Sequence, residues 1–239
     1  MSGGPDGVPA AADGLAQAAV FGEFATVHQG GPAARGVPVR DLCADRSALS
    51  RHVATTREVL GERAAVPASR VELRVAASVW FLGLVARLVS APVGARVLGA
   101  GWVRLHPADV LVPDEPGPVT LRPSGVAPSL AAGVLTPVVM PLARATAAAA
   151  GVAPRILVGN IASAVAGAAV VIAAVRPELA GTARDRTVEA LAEPPLAGAG
   201  EVTAAGFVRA SCCLLYRVPP GGLCGDCVLR HRSAPASRA

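Results

Sequence analysis

Between Ser47 and Arg63 the apolar residues return at three- to four-residue intervals. Leu49, Val53, Val59 and Leu60 fall on one side, the spacing of an amphipathic helix, with Ser47 placed to cap it. Pro67-Ala68-Ser69 restarts the chain into a longer helix. Val71, Val75, Val79, Leu82 and Val85 keep helical spacing to about Leu88, and Pro92 sets its limit. Upstream, Leu15 to Val27 is apolar enough for a short helix or a docked segment, and Gly30-Gly31-Pro32 to Pro38 is a turn-rich break. The period then changes. Trp102 to Val112 and Val119 to Arg122 are β-branched runs on either side of Pro113-Asp114-Glu115-Pro116-Gly117-Pro118, which predicts a hairpin or small sheet. Helical pattern resumes over 138–150, 156–175 and 183–191, and Pro194-Pro195 with the Gly/Ala stretch to Gly200 reads as a linker.

These elements predict an α+β fold: a mostly helical single domain over 15–200 with a small central hairpin or sheet, then a C-terminal segment over 201–239. Residues 1–14, rich in Gly, Pro and Ala, are predicted to be disordered. No repeat of solenoid length is present.

One stretch admits two readings. Ile156 to Val175 carries no charge between Arg155 and Arg176, which is the length of a membrane span. Asn160, Ser163, the Gly/Ala content and the scarcity of large side chains favour a buried helix instead. On that reading Gly159, Ala162, Ala166 and Ala169 allow close helix packing, and Asn160 requires a polar partner inside the fold.

Composition narrows the function classes. A chain of 239 residues can bury a core without disulfides. Its net charge is +5 and all 22 basic residues are Arg, but they are scattered, without the blocks or interleaved aromatics of a nucleic-acid binder. The N-terminus lacks a basic region followed by an apolar core, so the cytoplasm is the expected compartment. Gly99-Ala100-Gly101 and Gly30-Gly31 do not follow the strand-then-helix pattern of a dinucleotide site.

The chemistry gathers at the C-terminus. Cys212-Cys213 is followed after ten residues by Cys224-Gly225-Asp226-Cys227, so four of the five cysteines lie within sixteen positions. Cys212, Cys213, Cys224 and Cys227 form a candidate Cys₄ metal set. Disulfides would need an oxidising compartment, and a vicinal bridge is strained. Adjacent cysteines crowd one tetrahedral zinc and suit ligands spread over two irons, yet spacing alone leaves both an iron–sulfur cluster and a non-enzymatic Cys₄ zinc interaction module open. A Cys-x-x-Cys turn favours Cys224 and Cys227 on one metal, with Cys212 and Cys213 on the other. Gly225 could bring backbone close to sulfur, and Asp226 and Tyr216 could tune the local field. Arg209 and Arg217 flank the vicinal pair, either as electrostatic partners or as solvated surface residues. His231 is a tail residue or a proton contact. Cys43 reads as an ordinary buried thiol; His28, His52 and His106 share no ligand spacing, and Met140 stands isolated.

The motif Arg209-Ala210-Ser211-Cys212-Cys213-Leu214-Leu215-Tyr216-Arg217 with Cys224-Gly225-Asp226-Cys227 resembles the FhuF-like ferric-siderophore reductases. Arg87-Leu88-Val89-Ser90-Ala91-Pro92 and Val158-Gly159-Asn160-Ile161-Ala162-Ser163-Ala164 resemble the helical body of that family. Val228 stands where proline is frequent in relatives, and Leu215 where an aromatic is frequent. The resemblance implies a [2Fe-2S] cluster on the four cysteines, no catalytic residue beyond it, and one-electron reduction of an imported ferric siderophore. It further implies a separate electron donor such as a ferredoxin or flavin reductase, and a soluble protein with at most transient, salt-sensitive contact with the inner membrane face or a siderophore permease.

Overall fold

The computed structural model describes residues 7–31, 34–115 and 117–232, with side chains to residue 230. Helix α4 (Leu73–Val97) is the axis of the molecule. Its residues from Leu88 to Ala95 are buried without interruption, as expected of a helix surrounded by other elements. It runs through Pro92, where the sequence pattern predicted a limit. Proline removes one backbone donor, but packing on every side of this segment holds the helix together to Val97.

Three helices lie against that axis: α1 (Gly7–Ala18), α3 (Arg46–Arg63) and α6 (Pro154–Val175). Residues 7–14, expected to be disordered, begin α1, whose Ala11, Leu15 and Ala18 are buried; residues 1–6 lie outside the described part. The Gly, Pro and Ala content that suggested disorder supplies small residues suited to close packing, and Ala18 abuts Gly94 of α4. In α3 the cap is Asp45 rather than Ser47. The Asp45 carboxylate accepts from the Ser47 hydroxyl and from the Ser47 backbone N–H, each at 2.7 Å, and these bonds hold the carboxyl below its ordinary range.

The predicted hairpin is present as β2 (Trp102–Val112) and β3 (Thr120–Ala127), antiparallel, with the short β1 (Val37–Pro38) on the free edge of β2. Register slips around Leu105, before Pro107, where proline cannot join a ladder. A π-helical segment over Ala131–Val139 leads into α5 (Met140–Ala150), so helix begins seven residues before the sequence pattern placed it. Short α2 (Val39–Ala44) links β1 to α3, and α7 (Ala180–Ala192) packs on α6. A second hairpin, β4 (Gly200–Thr203) with β5 (Gly206–Arg209), was not visible as strands in the sequence.

Three helical stretches, 73–97, 131–150 and 154–175, are long and apolar enough to cross a membrane by length and composition. In the fold, 61% of the most apolar window of α6 is buried against protein. Its Gly159, Ala162 and Ala166 are buried, and Gly159 leaves the room that the Ser211 side chain takes.

Glycine contacts yield a test of this packing. A Cβ on Gly133 would run into the backbone carbonyl of Val103 in β2, whereas one on Gly83 in α4 meets open space. Gly133→Ala is expected to lower unfolding free energy by about 1–3 kcal/mol. Gly83→Ala should be neutral or raise it by about 0.5–1 kcal/mol, because glycine is a poor helix former. Urea denaturation of both variants checks the pair.

Candidate metal centre

The four C-terminal cysteines come together from two loops. Strand β5 ends at Arg209, and the chain passes Ser211 into the Cys212-Cys213 pair. Leu214 then takes a left-handed conformation (φ 70°), unusual for a bulky residue, which turns its backbone N–H onto Cys212 Sγ at 3.3 Å. The second loop, Cys224-Gly225-Asp226-Cys227, closes on itself through the Cys227 N–H donating to the Cys224 carbonyl at 3.2 Å. Short helix α8 (Val228–Arg232) follows, and Arg230 reaches back to the Leu223 carbonyl at 2.9 Å.

All four are free thiols, with Cys213 and Cys227 buried and Cys212 and Cys224 half-buried. Cys213 Sγ lies 3.6 Å from Cys224 Sγ, so the closest approach joins the two motifs. Burial, followed by the neighbouring thiols of Cys213 and Cys227, pushes the Cys212 thiol up against the pull of the Leu214 N–H. Burial and Cys213 do the same to Cys224, with Arg209 pulling the other way. Among the described residues no set of three or more His, Cys, Asp or Glu is gathered for a single metal ion. Four soft sulfurs from two loops, one already accepting a backbone N–H, are a donor set that fits a two-iron cluster.

Behind the sulfurs lies a buried polar network that the sequence only partly announced. Arg209 is 1% exposed, which excludes the reading of a solvated surface residue. Its guanidinium donates to Asp226 Oδ2 from Nε at 3.0 Å and from Nη2 at 2.8 Å. Nη1 donates to Asn160 Oδ1 at 2.8 Å, and Nη2 also bonds the Ser163 hydroxyl. Asn160, fully buried in α6, donates in turn to the Ser78 carbonyl and hydroxyl in α4, both at 3.0 Å. Ser78 passes the chain back to the cysteines by donating to the Cys213 carbonyl at 2.8 Å. Asn160 therefore has the internal polar partners that a buried helix requires. Burial would push the Asp226 carboxyl up, but the Ser163 hydroxyl and the Arg209 charge hold it below the ordinary range.

The other flagged residues sit apart from this network. Arg217 pairs with Glu72 at 2.5 Å, each more than a third exposed, a surface contact of small energetic weight. Tyr216 is exposed beside Arg217. A Cβ on Gly225 would meet open space, so this glycine leaves room outside the turn. Cys43 is half-buried in α2, its thiol pushed up by burial. His52 stacks on Trp80 at 5.8 Å. Sequence reasoning missed Ser78 and gave Ser163 no role at the cysteine site. A lone Asn in an apolar twenty-residue stretch was the available signal, since a buried amide needs partners.

The network sets an expectation for mutants. Asn160→Leu leaves a buried guanidinium short of an acceptor and should cost about 3–5 kcal/mol, as should Arg209→Met, which strands Asp226. If these residues act as one unit, the double variant should cost clearly less than the sum of the two, as read by urea denaturation in a double-mutant cycle.

Comparison with known proteins meets this geometry at its centre. No curated protein matches the chain. Residues 209–229 match the model of the FhuF 2Fe-2S C-terminal domain, a span that begins at Arg209 and includes all four cysteines. The cofactor of this segment is a [2Fe-2S] cluster. The chain thus carries an FhuF 2Fe-2S C-terminal domain, consistent with an FhuF-like iron–sulfur redox protein.

Proposed function

We propose that the protein reduces an imported ferric siderophore by one electron and so releases Fe(II). The observation that carries this reading is the placement of four free cysteines, two of them half-exposed, in loops at the edge of a helical body. Siderophores hold Fe(III) through hard oxygen donors far more tightly than Fe(II), so one electron largely undoes the complex. A [2Fe-2S] cluster, when bound, supplies electrons one at a time. The balance is simple: one electron moves to the ferric ion, Fe(II) dissociates from the loosened chelator, and a ferredoxin or flavin reductase restores the electron.

Within this scheme Cys212, Cys213, Cys224 and Cys227 would hold the irons. The 3.6 Å approach of Cys213 to Cys224 brings one sulfur from each motif together. Arg209 and Asp226 hold the two loops against α6. Leu214 N–H stabilises charge on the Cys212 sulfur. We place this activity in the cytoplasm, with transient contact at the inner membrane face that salt weakens.

Protein purified without oxygen should be red-brown, bleach with dithionite, and regain colour when a ferric siderophore is added, with Fe(II) captured by a chromogenic chelator. A colourless protein retaining one zinc per chain would support the zinc interaction module instead. Replacing any of the four ligands by Ser should abolish or severely destabilise the cluster, seen as lost iron and visible absorption, whereas Cys43→Ser should retain both. Mild oxidation of cluster-free protein should join Cys213 to Cys224, as mapped by mass spectrometry; a dominant Cys224–Cys227 bridge would argue against this arrangement of the two loops.

A further inference from the structure

Two cavities meet beside the Cys224–Cys227 turn. One, of about 380 Å³, is a notch bounded by Gly225 and Asp226 of the turn, Phe207 of β5, and Gly167 and Val170 of α6. The other, of about 450 Å³, lies between α4 and α6 under the loop after α1, with Phe24, Leu82 and Ala86 among its walls. They share Ser163 and Gly167, so α6 forms a low saddle between them. The floor of that saddle is open: a Cβ on Gly167, Gly225 or Gly22 would meet nothing within 4 Å. Val170 and Val171 are exposed beside it, and Arg87 lies over the outer ring, Phe24, at 4.6 Å.

We infer that this double cavity seats the ferric chelate, an assignment that rests on the reductase reading above. Position is the first reason, since Gly225 and Asp226 are the two residues between the ligands Cys224 and Cys227. A molecule in the notch rests against that turn. Shape is the second: concave volumes of this size suit a small molecule, whereas a protein donor needs a broader, flatter face. Charge is the third. The ionisable groups on its walls are Glu23 and Asp226, the latter neutralised from behind by Arg209, and no cationic side chain lines either part. The surface therefore suits a chelate with an apolar shell and no net negative charge, its far edge resting on Phe24.

Gly167→Leu puts a bulky side chain into the saddle from a position where a Cβ meets nothing within 4 Å, and Gly83→Leu, equally open at Cβ and on a different face of α4, is its control. The probe is neutral gallium(III) tris(acetylacetonate), which cannot be reduced, titrated by calorimetry against the cluster-loaded protein. Retained visible absorption and melting temperature verify that each variant is folded. Binding should weaken at least tenfold in Gly167→Leu and stay at the wild-type level in Gly83→Leu. Wild-type-like binding in Gly167→Leu, or no binding to the wild-type protein, would overturn the assignment. So would intact chelate binding with slowed electron delivery from the donor protein, which would make this the donor's site. Reduction of the iron(III) counterpart separates the two levels. If loaded wild-type protein reduces no ferric chelate, the reductase reading fails. If Gly167→Leu reduces it as the wild type does, only the cavity assignment fails.

Discussion

A guanidinium buried to 1% exposure is the constraint around which this protein is arranged. Left alone, such a charge would cost several kcal/mol, a large fraction of the whole stability of a typical domain. Arg209 is tolerated because one carboxylate, one amide and one hydroxyl converge on it from two other parts of the chain. Each partner is thereby fixed. Asp226 can sit between two cysteines only in the orientation that meets Arg209, and Asn160 can lie inside an apolar helix only because Arg209 and Ser78 complete its hydrogen bonds.

That arrangement answers a difficulty inherent in a short cysteine segment. A few residues of loop have almost no core of their own, and metal ligation alone would leave them free to swing relative to the rest. Here the segment is tied to α4 through the Ser78–Cys213 contact, to α6 through Asn160, Ser163 and the Ser211–Arg155 bond, and to the preceding strand through Arg209. The sulfurs are held by rigid helices while two of the cysteines stay half-exposed. Exposure on one side and polar anchoring on the other suits the one-electron role proposed above.

Helix α6 illustrates how composition alone can mislead. Its hydropathy and length satisfy a membrane span, yet the same small residues make it a good internal strut, because Gly159 and its neighbours let the cysteine loop and α4 approach closely. On its outer side small residues leave hollows instead of contacts, and those hollows lie beside the cluster turn.

The sequence by itself determined the local elements and the chemistry. The 3.6-residue period of 47–63 and the proline-bounded β-branched runs specified α3 and the β2–β3 hairpin, since both signals arise from short-range geometry. Spacing brought four cysteines into one segment, and the wider motif pointed to a two-iron centre. Tertiary structure decided the rest. Pro92 stands inside α4 because neighbours surround it, and residues 7–14 are helical because they have α4 and β3 to pack against. Whether Arg209 faced water or protein depended on Asn160 and Ser163, more than forty positions away. The Cys213–Cys224 contact depended on how two loops fold over a common network. Such long-range partners leave no periodic trace in a single chain, because the free energy that selects them exists only once the helices have met.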